Sequence, residues 1–380
     1  MLPAITFALK WISVNNLTIG IVGAGGFALF AAKAFKKVPG IRIKWVADIQ
    51  PLLSGQFAQQ LNCTAGSFEE MLRDEETDLI YIATPPFLHY EQSKAALHAG
   101  KHVICEKPAA LRTIEAEELA KFATENKLLY TVNLMQRYNP LYKTVHAIIS
   151  QNLLGDFVHG FFENYASDEK LIANHWFWDR DKSGGIFIEH GVHFFDMFYG
   201  WFGEGKLLQS FEIARENFPE VADRVQAVVQ YGNSPVNFYH GFNQPKLLDR
   251  QELRLQFDRG DITLYEWIPV KIRLHALLNS DQLDTILDLI PEASIEKHST
   301  GDHPGVVKGK FREIEFDSLV TITDGNIDEK MNRYEELVMS MIMDQWDWIK
   351  DPSHKRVIDE TNAVESLRIA EEAGLLAMKL

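Results

Sequence analysis

The sequence predicts an α/β protein in two parts: an N-terminal doubly wound parallel sheet, and a C-terminal α+β domain with a large, mostly antiparallel open sheet. Up to about residue 146, apolar strand-like runs alternate with helical segments, which is the order of βαβ units. Beyond that point strand-like runs follow one another with few helices between them, as in antiparallel sheets. The length of 380 residues also suits two domains better than one.

The first part alternates predicted strands and helices. SFEE matches the S-x-x-E capping box at a helix start. Gly100 is the predicted C-cap of a later helix. The predicted strands cover residues 16–23, 41–48, 78–86, 102–108 and 128–133, and the predicted helices cover residues 27–37, 67–74, 89–101 and 113–127.

The second part begins after a predicted connecting helix, QRYNPLYKTVHAIISQN. Strands are predicted at 157–164, 225–231, 237–242, 252–257, 261–267 and 270–277, and closing helices at 328–349 and 360–378. We therefore predict an N-terminal extension over residues 1–16, a first domain over 17–146 and a second over 147–380.

Composition and charge narrow the functional class. The formal net charge of −15 disfavours nucleic-acid binding, which needs clustered Lys and Arg against phosphates. The two cysteines, Cys63 and Cys105, are too few for a disulfide scaffold, so a reducing cytoplasm is the expected compartment. The apolar N-terminus lacks the features of a signal peptide, and we expect no membrane partner.

GAGGFA, residues 23–28, fits the G-x-G-x-x-G/A form. It follows a predicted strand, opens a predicted helix, and Asp48 ends the next strand, which is the context of a Rossmann dinucleotide site. Gly23 permits the tight turn, Gly25 lets the backbone approach a pyrophosphate, and Ala28 keeps the helix close to the sheet. Asp48 can accept from both ribose hydroxyls and would repel a 2′-phosphate, which favours NAD over NADP. The alternative is a glycine turn that binds some other ligand.

Six stretches then fall in an order and spacing that resemble a known family. They are GAGGFA, VAD, ATPPFLH, HVICEKP, QRYNP and GGIFIEHGVHFFD. The chain resembles the glucose–fructose oxidoreductase / inositol dehydrogenase / rhizopine catabolism (Gfo/Idh/MocA) family from about Leu17 to the final helix. The resemblance implies an N-terminal Rossmann domain and a C-terminal domain whose open sheet often forms the oligomer interface. It also implies oxidation or reduction of a secondary alcohol or ketone on a sugar, inositol or related ring with NAD(P).

The resemblance also assigns residues by position. Lys107 looks like the family's active-site lysine and His193 like its catalytic histidine. Glu189 stands where many members have Asp, and Pro86 where Asn is common, so both depart from the pattern. The predicted cofactor-binding residues are Gly23, Gly25, Gly26, Phe27, Asp48, Thr84, Pro85, His89, Glu106 and Lys107.

The spacing within GGIFIEHGVHFFD supports a catalytic set on physical grounds. If residues 189–196 are helical, Glu189, His193 and Asp196 lie at i, i+4 and i+7 along one face. Neutral His193 can take an alcohol proton while hydride leaves the same carbon, and Lys107 can hold the developing alkoxide. Glu189 can bind a substrate hydroxyl or orient the imidazole, whereas Asp196 is expected to be a structural partner for the helix or for Arg137.

A metal site is the alternative for the string E-H-x-x-H. Residues 189 and 190 would point about 100° apart on a helix, and no fourth ligand is evident. We therefore expect no metal, and a hydrogen-bonded core histidine is the favoured interpretation of His190.

The remaining candidates concern the substrate. Aromatic rings can stack on a sugar, and polar side chains near strand ends can bind hydroxyls. The predicted substrate-binding residues are Asn133, Arg137, Trp176, Trp178, His190 and His240. The alternatives are that one of the two Trp rings packs in the core, and that His240 is structural.

We expect an NAD-dependent dehydrogenase of a cyclic polyol, sugar or sugar derivative. One alternative is glycoside cleavage through transient oxidation with NAD recycled, and another is a non-catalytic sensor of NAD and sugar. Aromatic strands such as NFYHGF suggest a sheet face that needs covering, so a homodimer or homotetramer is expected.

Overall fold

The computed structural model describes residues 16–300, 305–310 and 312–380. The predicted N-terminal extension therefore lies outside the described residues, apart from residue 16. The chain forms two compact units. The first unit contains the part up to Met135 together with Asp181–Gly184 and Glu335–Arg368, and the second contains Gln136–Arg180, Gly185–Tyr334 and Ile369–Leu380. Residues 335–368, placed in the second domain from the sequence, thus belong to the first unit.

The first unit is built on a parallel sheet of six described strands. They are β1 (Leu17–Val22), β2 (Ile41–Ala47), β3 (Thr64–Ala65), β4 (Leu79–Ile82), β5 (His102–Cys105) and β6 (Tyr130–Val132). Their order is β3-β2-β1-β4-β5-β6, and every neighbouring pair is parallel. The chain moves outward from β1 first to one side and then to the other, so the predicted doubly wound sheet is confirmed.

Helices connect these strands. They are α1 (Gly26–Phe35), α2 (Pro51–Leu61), α3 (Phe68–Arg73), α4 (His89–His98) and α5 (Thr113–Asn126). The capping box of α3 is present, because Ser67 and Glu70 exchange side-chain-to-backbone hydrogen bonds. Gly100 follows the C-cap of α4 with φ of +74°, the conformation that glycine adopts at low cost. The helix α2 was not predicted, since its polar residues give no clear apolar stripe.

The second unit contains a large mixed sheet of ten described strands. They are β7 (Phe157–Ser167), β8 (Gly205–Arg215), β9 (Phe218–Tyr231), β10 (Ser234–Gln244), β11 (Arg250–Phe257), β12 (Gly260–Tyr265), β13 (Lys271–Leu278), β14 (Ser294–His298), β17 (Ser318–Gly325) and β18 (Met378–Lys379). The order is β14-β17-β13-β12-β11-β7-β10-β9-β8-β18. All neighbouring pairs are antiparallel except β7 with β10 and β8 with β18. The predicted mostly antiparallel sheet is therefore confirmed, although β8, β14, β17 and β18 were not predicted as strands.

Other elements complete the chain. A small sheet pairs β15 (Val306–Lys308) with β16 (Glu313–Glu315). The remaining helices are α6 (Pro140–Ser150), α7 (Arg180–Ser183), α8 (Val192–Phe202), α9 (Ser280–Leu289), α10 (Lys330–Lys350) and α11 (Glu360–Leu375). Among the helices that the structure describes, none combines the length and apolar character needed to cross a membrane.

The helix α8 lies on the buried face of the ten-stranded sheet. The Phe194 ring stacks on Phe162 of β7 with 3.5 Å between centroids. Phe195 and Phe198 contact Phe238 of β10 at 4.8 and 5.0 Å. These rings are almost fully buried, so the phenylalanines of the sequence FFDMF anchor the helix that carries His193.

Candidate functional site

The glycine turn joins β1 to α1 at the carboxyl edge of the parallel sheet. Gly23 is buried with φ of +96°, and a Cβ there would lie 2.5 Å from the carbonyl oxygen of Ala83. A Cβ at Gly25 or Gly26 would meet nothing within 4 Å. Of these three glycines, only Gly23 is therefore required by the fold itself. The openness at Gly25 and Gly26 leaves the backbone accessible to a ligand at the helix N-terminus.

Asp48 follows β2 at the same edge and is bonded to the glycine turn. Its Oδ2 accepts a hydrogen bond from the backbone N–H of Ala24 at 2.8 Å, and its Oδ1 accepts from that of Gln50 at 2.8 Å. The carboxylate remains half-exposed. The structure thus brings the predicted acid and the predicted turn together, and Asp48 also orders that turn.

The EKP segment follows β5. Glu106 and Lys107 are half-buried, and the peptide bond between Lys107 and Pro108 is cis. The hydroxyl of Tyr81 and the amide Nδ2 of Asn133 both donate to Oε1 of Glu106, the latter at 2.8 Å. Burial raises the pKa of Glu106 above its ordinary value, partly offset by these hydrogen bonds. Glu106 therefore sits in a hydrogen-bonded pocket beneath the segment that presents Lys107.

Asn133 and Tyr81 both bond to Glu106, but only Asn133 was among the predicted site residues. Asn133 was predicted to bind substrate, but its side chain is only 1% exposed and contacts Glu106 instead. Tyr81 was not predicted at all, because it lies inside the buried run of β4. A phenol within such a run needs a polar partner, which is the one signal that could have identified it.

His89 is placed differently from its prediction. It was expected to line the nicotinamide side, but it is fully buried in the first unit. Its Nδ1 lies 2.7 Å from the carbonyl oxygen of Pro108 and its Nε2 lies 2.7 Å from that of Thr84. Both ring nitrogens are thus used to link the loops after β4 and β5, which corrects the predicted cofactor contact.

The predicted set Glu189, His193 and Asp196 lies at the start of α8. Residues Phe187–Gly191 form a π-helical turn, and the α-helix begins only at Val192. The segment is therefore helical, as the predicted spacing requires, but it is not α-helical throughout. Glu189 is half-exposed, whereas His193 is 5% exposed and Asp196 is fully buried. Single π-turns inside helices occur frequently at functional sites.

Asp196 forms a buried ion pair with Arg137. Nε and Nη2 of Arg137 donate to the two carboxylate oxygens at 2.8 Å each, and Nη1 donates to the hydroxyl of Tyr142 at 2.9 Å. Each of the three guanidinium nitrogens is therefore bonded within the second unit, which corrects the predicted substrate contact of Arg137. The expected role of Asp196, a structural partner for Arg137, agrees with this geometry.

A loop ring lies near His193. The Trp267 ring centroid is 6.4 Å from that of His193. The amide of Gln136 donates to the carbonyl of Trp267 at 2.6 Å, and the amide of Asn139 donates to that of Pro269 at 2.9 Å. The sequence QRYNP thus positions this loop, a role that was not predicted because its partners lie more than 100 residues away.

His190 and His240, both predicted to bind substrate, contact each other. Their Nδ1 atoms are 3.0 Å apart. His240 is fully buried, and burial lowers its pKa to about 3. This corrects the predicted substrate contact of His240. His190 is hydrogen-bonded, as the interpretation favoured from the sequence expects. It is half-exposed, however, and therefore does not lie wholly in the core.

The two predicted stacking residues lie in a 3-10 turn, Trp176–Trp178. Phe177, between them, is the buried ring and packs on Phe242 at 4.9 Å. Trp178 donates from Nε1 to the carbonyl of Leu171 and lies 4.8 Å from the guanidinium of Arg215. The Trp178 ring is therefore held by contacts within the protein. The half-exposed Trp176 is the better candidate for stacking on a substrate ring.

A metal centre finds no support in the described part of the chain. No group there of three or more His, Cys, Asp or Glu side chains is arranged to hold a metal ion. The candidate residues are instead distributed over two sets. The first unit carries the glycine turn, Asp48, Glu106 and Lys107, and the second carries Glu189, His190 and His193.

Comparison with known proteins places these two sets in one family. Residues 17–134 match the family model described as an oxidoreductase family with an NAD-binding Rossmann fold. Residues 142–263 match the model of the GFO/IDH/MocA C-terminal domain. The chain belongs to the Gfo/Idh/MocA oxidoreductase family. Its first unit is therefore an NAD(P)-binding Rossmann domain, as predicted.

Individual relatives of this Gfo/Idh/MocA protein match it over about half of its length. An uncharacterized oxidoreductase of Synechocystis is 30% identical over 200 residues, which is 51% of this chain and 53% of the relative. The scyllo-inositol 2-dehydrogenase (NADP(+)) of Bacillus subtilis is 29% identical over 176 residues, 46% of this chain and 48% of the relative. The matches thus span about half the length of these curated relatives.

Solved structures show the same fold over nearly the whole chain. Levoglucosan dehydrogenase in complex with NADH and L-sorbose superimposes with a TM-score of 0.73 at 15% identity. The match covers 96% of this chain and 97% of the other. At this identity the likeness establishes the fold.

Proposed function

We propose that this Gfo/Idh/MocA protein is an NAD(P)-dependent dehydrogenase that transfers hydride between nicotinamide and a secondary alcohol of a sugar, inositol or related cyclic polyol. The observation that carries the proposal is the combination of two features in one chain. A nucleotide-binding sheet edge ends in Lys107, and the start of a buried helix carries Glu189 and His193.

The residues of the first unit fit a dinucleotide. The exposed Gly25 and Gly26, with open space at their Cβ positions, would let the pyrophosphate reach the backbone N–H groups of α1. Phe27 is half-exposed in the first turn of that helix, and Thr84 and Pro85 follow β4 at the same edge of the sheet. When bound, the nicotinamide supplies hydride acceptance and donation.

Asp48 is the basis for proposing NAD as the preferred cofactor. Its half-exposed carboxylate lies at the end of β2, where it can accept from ribose hydroxyls and would repel a 2′-phosphate. The exposed residues that follow, Ile49 and Gln50, offer no positive charge to that phosphate. NADP(+) is the cofactor of one comparison protein and NADH is bound in another, so the Kd values for NAD and NADP test this preference.

The proton chemistry is assigned to the chain's own residues. A neutral imidazole at His193 accepts the proton of the substrate hydroxyl. The Lys107 ammonium donates a hydrogen bond to the same oxygen and stabilises its developing negative charge. Glu189 binds a neighbouring substrate hydroxyl. The half-exposed Trp176 offers an aromatic face for the ring.

The test is NADH absorbance with purified protein, NAD and a panel of inositols, hexoses, uronates and glycosides. We expect NADH with one substrate class. Lys107→Met and His193→Ala should lower kcat by about 10²-fold or more while the Kd for NAD, measured by calorimetry, changes little. Comparison with the Kd for NADP tests the role of Asp48. Wild-type turnover in either variant would refute the assignment of that residue, and glycoside cleavage without NADH would favour transient oxidation.

Three further properties remain proposals. Residues 17–146 are proposed to bind the cofactor and 147–380 the substrate. The outer face of the ten-stranded sheet carries Phe161, Tyr165 and Tyr239 at partial exposure, which supports a homodimer or homotetramer through this face. Cys63 and Cys105 form no disulfide, which is consistent with a reducing cytoplasm. Light scattering in solution tests the assembly.

A further inference from the structure

The π-helical turn before α8 presents two accessible side chains, Glu189 and His190. Within residues 186–198, all of which the structure describes, every side chain is buried except Glu189 and His190, which are half-exposed. His193 lies three residues further on and is 5% exposed. Glu189 and His190 are therefore the side chains of this segment that a ligand can contact.

The ring of His190 is held in place from several sides. Its Nδ1 lies 3.0 Å from Nδ1 of His240, with the two rings almost perpendicular at 81°. The rings of Phe194 and Phe242 lie 5.3 and 5.1 Å from its centroid. A side chain with these contacts does not need to be ordered when a ligand binds, so its hydrogen bond to that ligand is strongly oriented.

His240 is placed where a purely structural residue would be expected to be apolar. It is fully buried and surrounded by the rings of Phe162, Phe187 and Phe194. Its Nε2 is buried and has no hydrogen-bond partner among the described residues. A buried polar atom without a partner destabilises the fold, so packing stability alone does not explain a histidine at this position.

We propose that His240 holds His190 as the residue by which the second unit selects among hydroxyl configurations of a cyclic polyol substrate. The inference rests on the proposed dehydrogenase function. His190 is the specificity-determining residue, and His240 is a positioning residue that acts through it.

The physical basis is the shared proton. Two imidazole nitrogens that face each other at 3.0 Å need one proton between them, and the burial of His240 keeps that ring neutral. The contact couples the tautomers of the two rings and restricts the plane of His190. The hydroxyl of one epimer then meets the oriented ring in hydrogen-bonding geometry, whereas that of the other epimer does not, which is how hydrogen-bonding sites achieve selectivity.

The test compares epimers on three variants. kcat/KM is measured for myo- and scyllo-inositol and for glucose and galactose, whichever pair the wild type oxidises. His240→Phe keeps an aromatic ring in the cluster but removes the hydrogen bond. His190→Phe removes the proposed contact itself. The matched control is His159→Phe. His159 of β7 contacts Asn237 at 2.9 Å, and Asn237 lies on β10, as His240 does, but on the opposite face of the sheet.

We expect the ratio of kcat/KM between epimers to fall by roughly two- to tenfold in His240→Phe, the size of one neutral hydrogen bond, and at least as far in His190→Phe. The change should be mainly in KM. The Kd for NAD should stay the same, and the melting temperature of His240→Phe should not fall, because a buried nitrogen without a partner is removed. His190→Gln should restore part of the selectivity, and His159→Phe should leave the ratio unchanged.

Two failures are distinguishable. A wild type that oxidises none of the polyols refutes the proposed function, and the inference with it. A wild type that is active, with unchanged epimer ratios in His190→Phe and His240→Phe, refutes the inference alone. A lower melting temperature in His240→Phe with an unchanged ratio would show that the pair is structural.

Discussion

The ion pair between Arg137 and Asp196 allows a quantitative prediction. Asp196 is fully buried and receives two hydrogen bonds of 2.8 Å from one guanidinium. Replacing Arg137 with Met would leave the carboxylate buried without these donors. Removing one partner of a buried pair costs about 3–5 kcal/mol. We expect a loss of this size in the free energy of unfolding of the second unit.

The matched variants separate the pair from general packing. The double variant Arg137→Met/Asp196→Leu removes both charges, and it should recover most of the stability because hydrophobic replacement of a buried pair is often close to neutral. Lys308→Met is the control, because Lys308 pairs with Glu313 at 2.9 Å on the surface, with both side chains at least half-exposed. Its loss should stay below about 1 kcal/mol.

Urea unfolding followed by tryptophan fluorescence measures these changes. Trp201 of α8 stacks on Tyr142, the second hydrogen-bond partner of Arg137, with 5.1 Å between centroids, and so reports on this region. A loss below about 1 kcal/mol in Arg137→Met, or a double variant as unstable as the single one, would refute the reasoning. The first result would mean that water reaches the carboxylate when the guanidinium is removed. The second would mean that the loss comes from altered packing and not from an unpaired buried charge.

Two other predictions concern the first unit. Gly23→Ala should lower its melting temperature, because the new Cβ would lie 2.5 Å from the carbonyl of Ala83 at a φ of +96°, whereas Gly25→Ala should leave the melting temperature unchanged but weaken NAD binding in calorimetry. The opposite pattern would contradict the assigned roles of the two glycines. Burial also lowers the pKa of His102 from 6.5 to about 4, and its Nδ1 accepts from the N–H of Leu129. Because the unfolded chain then binds a proton that the folded chain does not, stability should fall as pH drops from about 6.5 to about 4 and level off below. Urea midpoints across this range should fall less steeply in His102→Asn, which keeps an acceptor; an identical slope would exclude His102 as the cause.

The sequence by itself was sufficient for the fold class, the glycine turn with Asp48, and the capping box of α3. These features depend on periodicity and on residues that lie close together along the chain or at the ends of adjacent strands. The apolar runs of β1, β2, β4, β5 and β6 predict buried parallel strands because such strands are covered on both faces. The helix α2 was missed because its sequence has no comparable pattern.

The tertiary structure decided the roles of the polar residues. Arg137, His89 and His240 could each have faced a ligand, and each is instead buried against a partner. The contacts of Arg137 with Asp196 and of His190 with His240 join residues that are 59 and 50 positions apart. The π-turn before α8 likewise departs from the period that the local sequence predicts. A buried polar group must find its partner wherever the fold brings one, and no local pattern in the sequence specifies which partner that is.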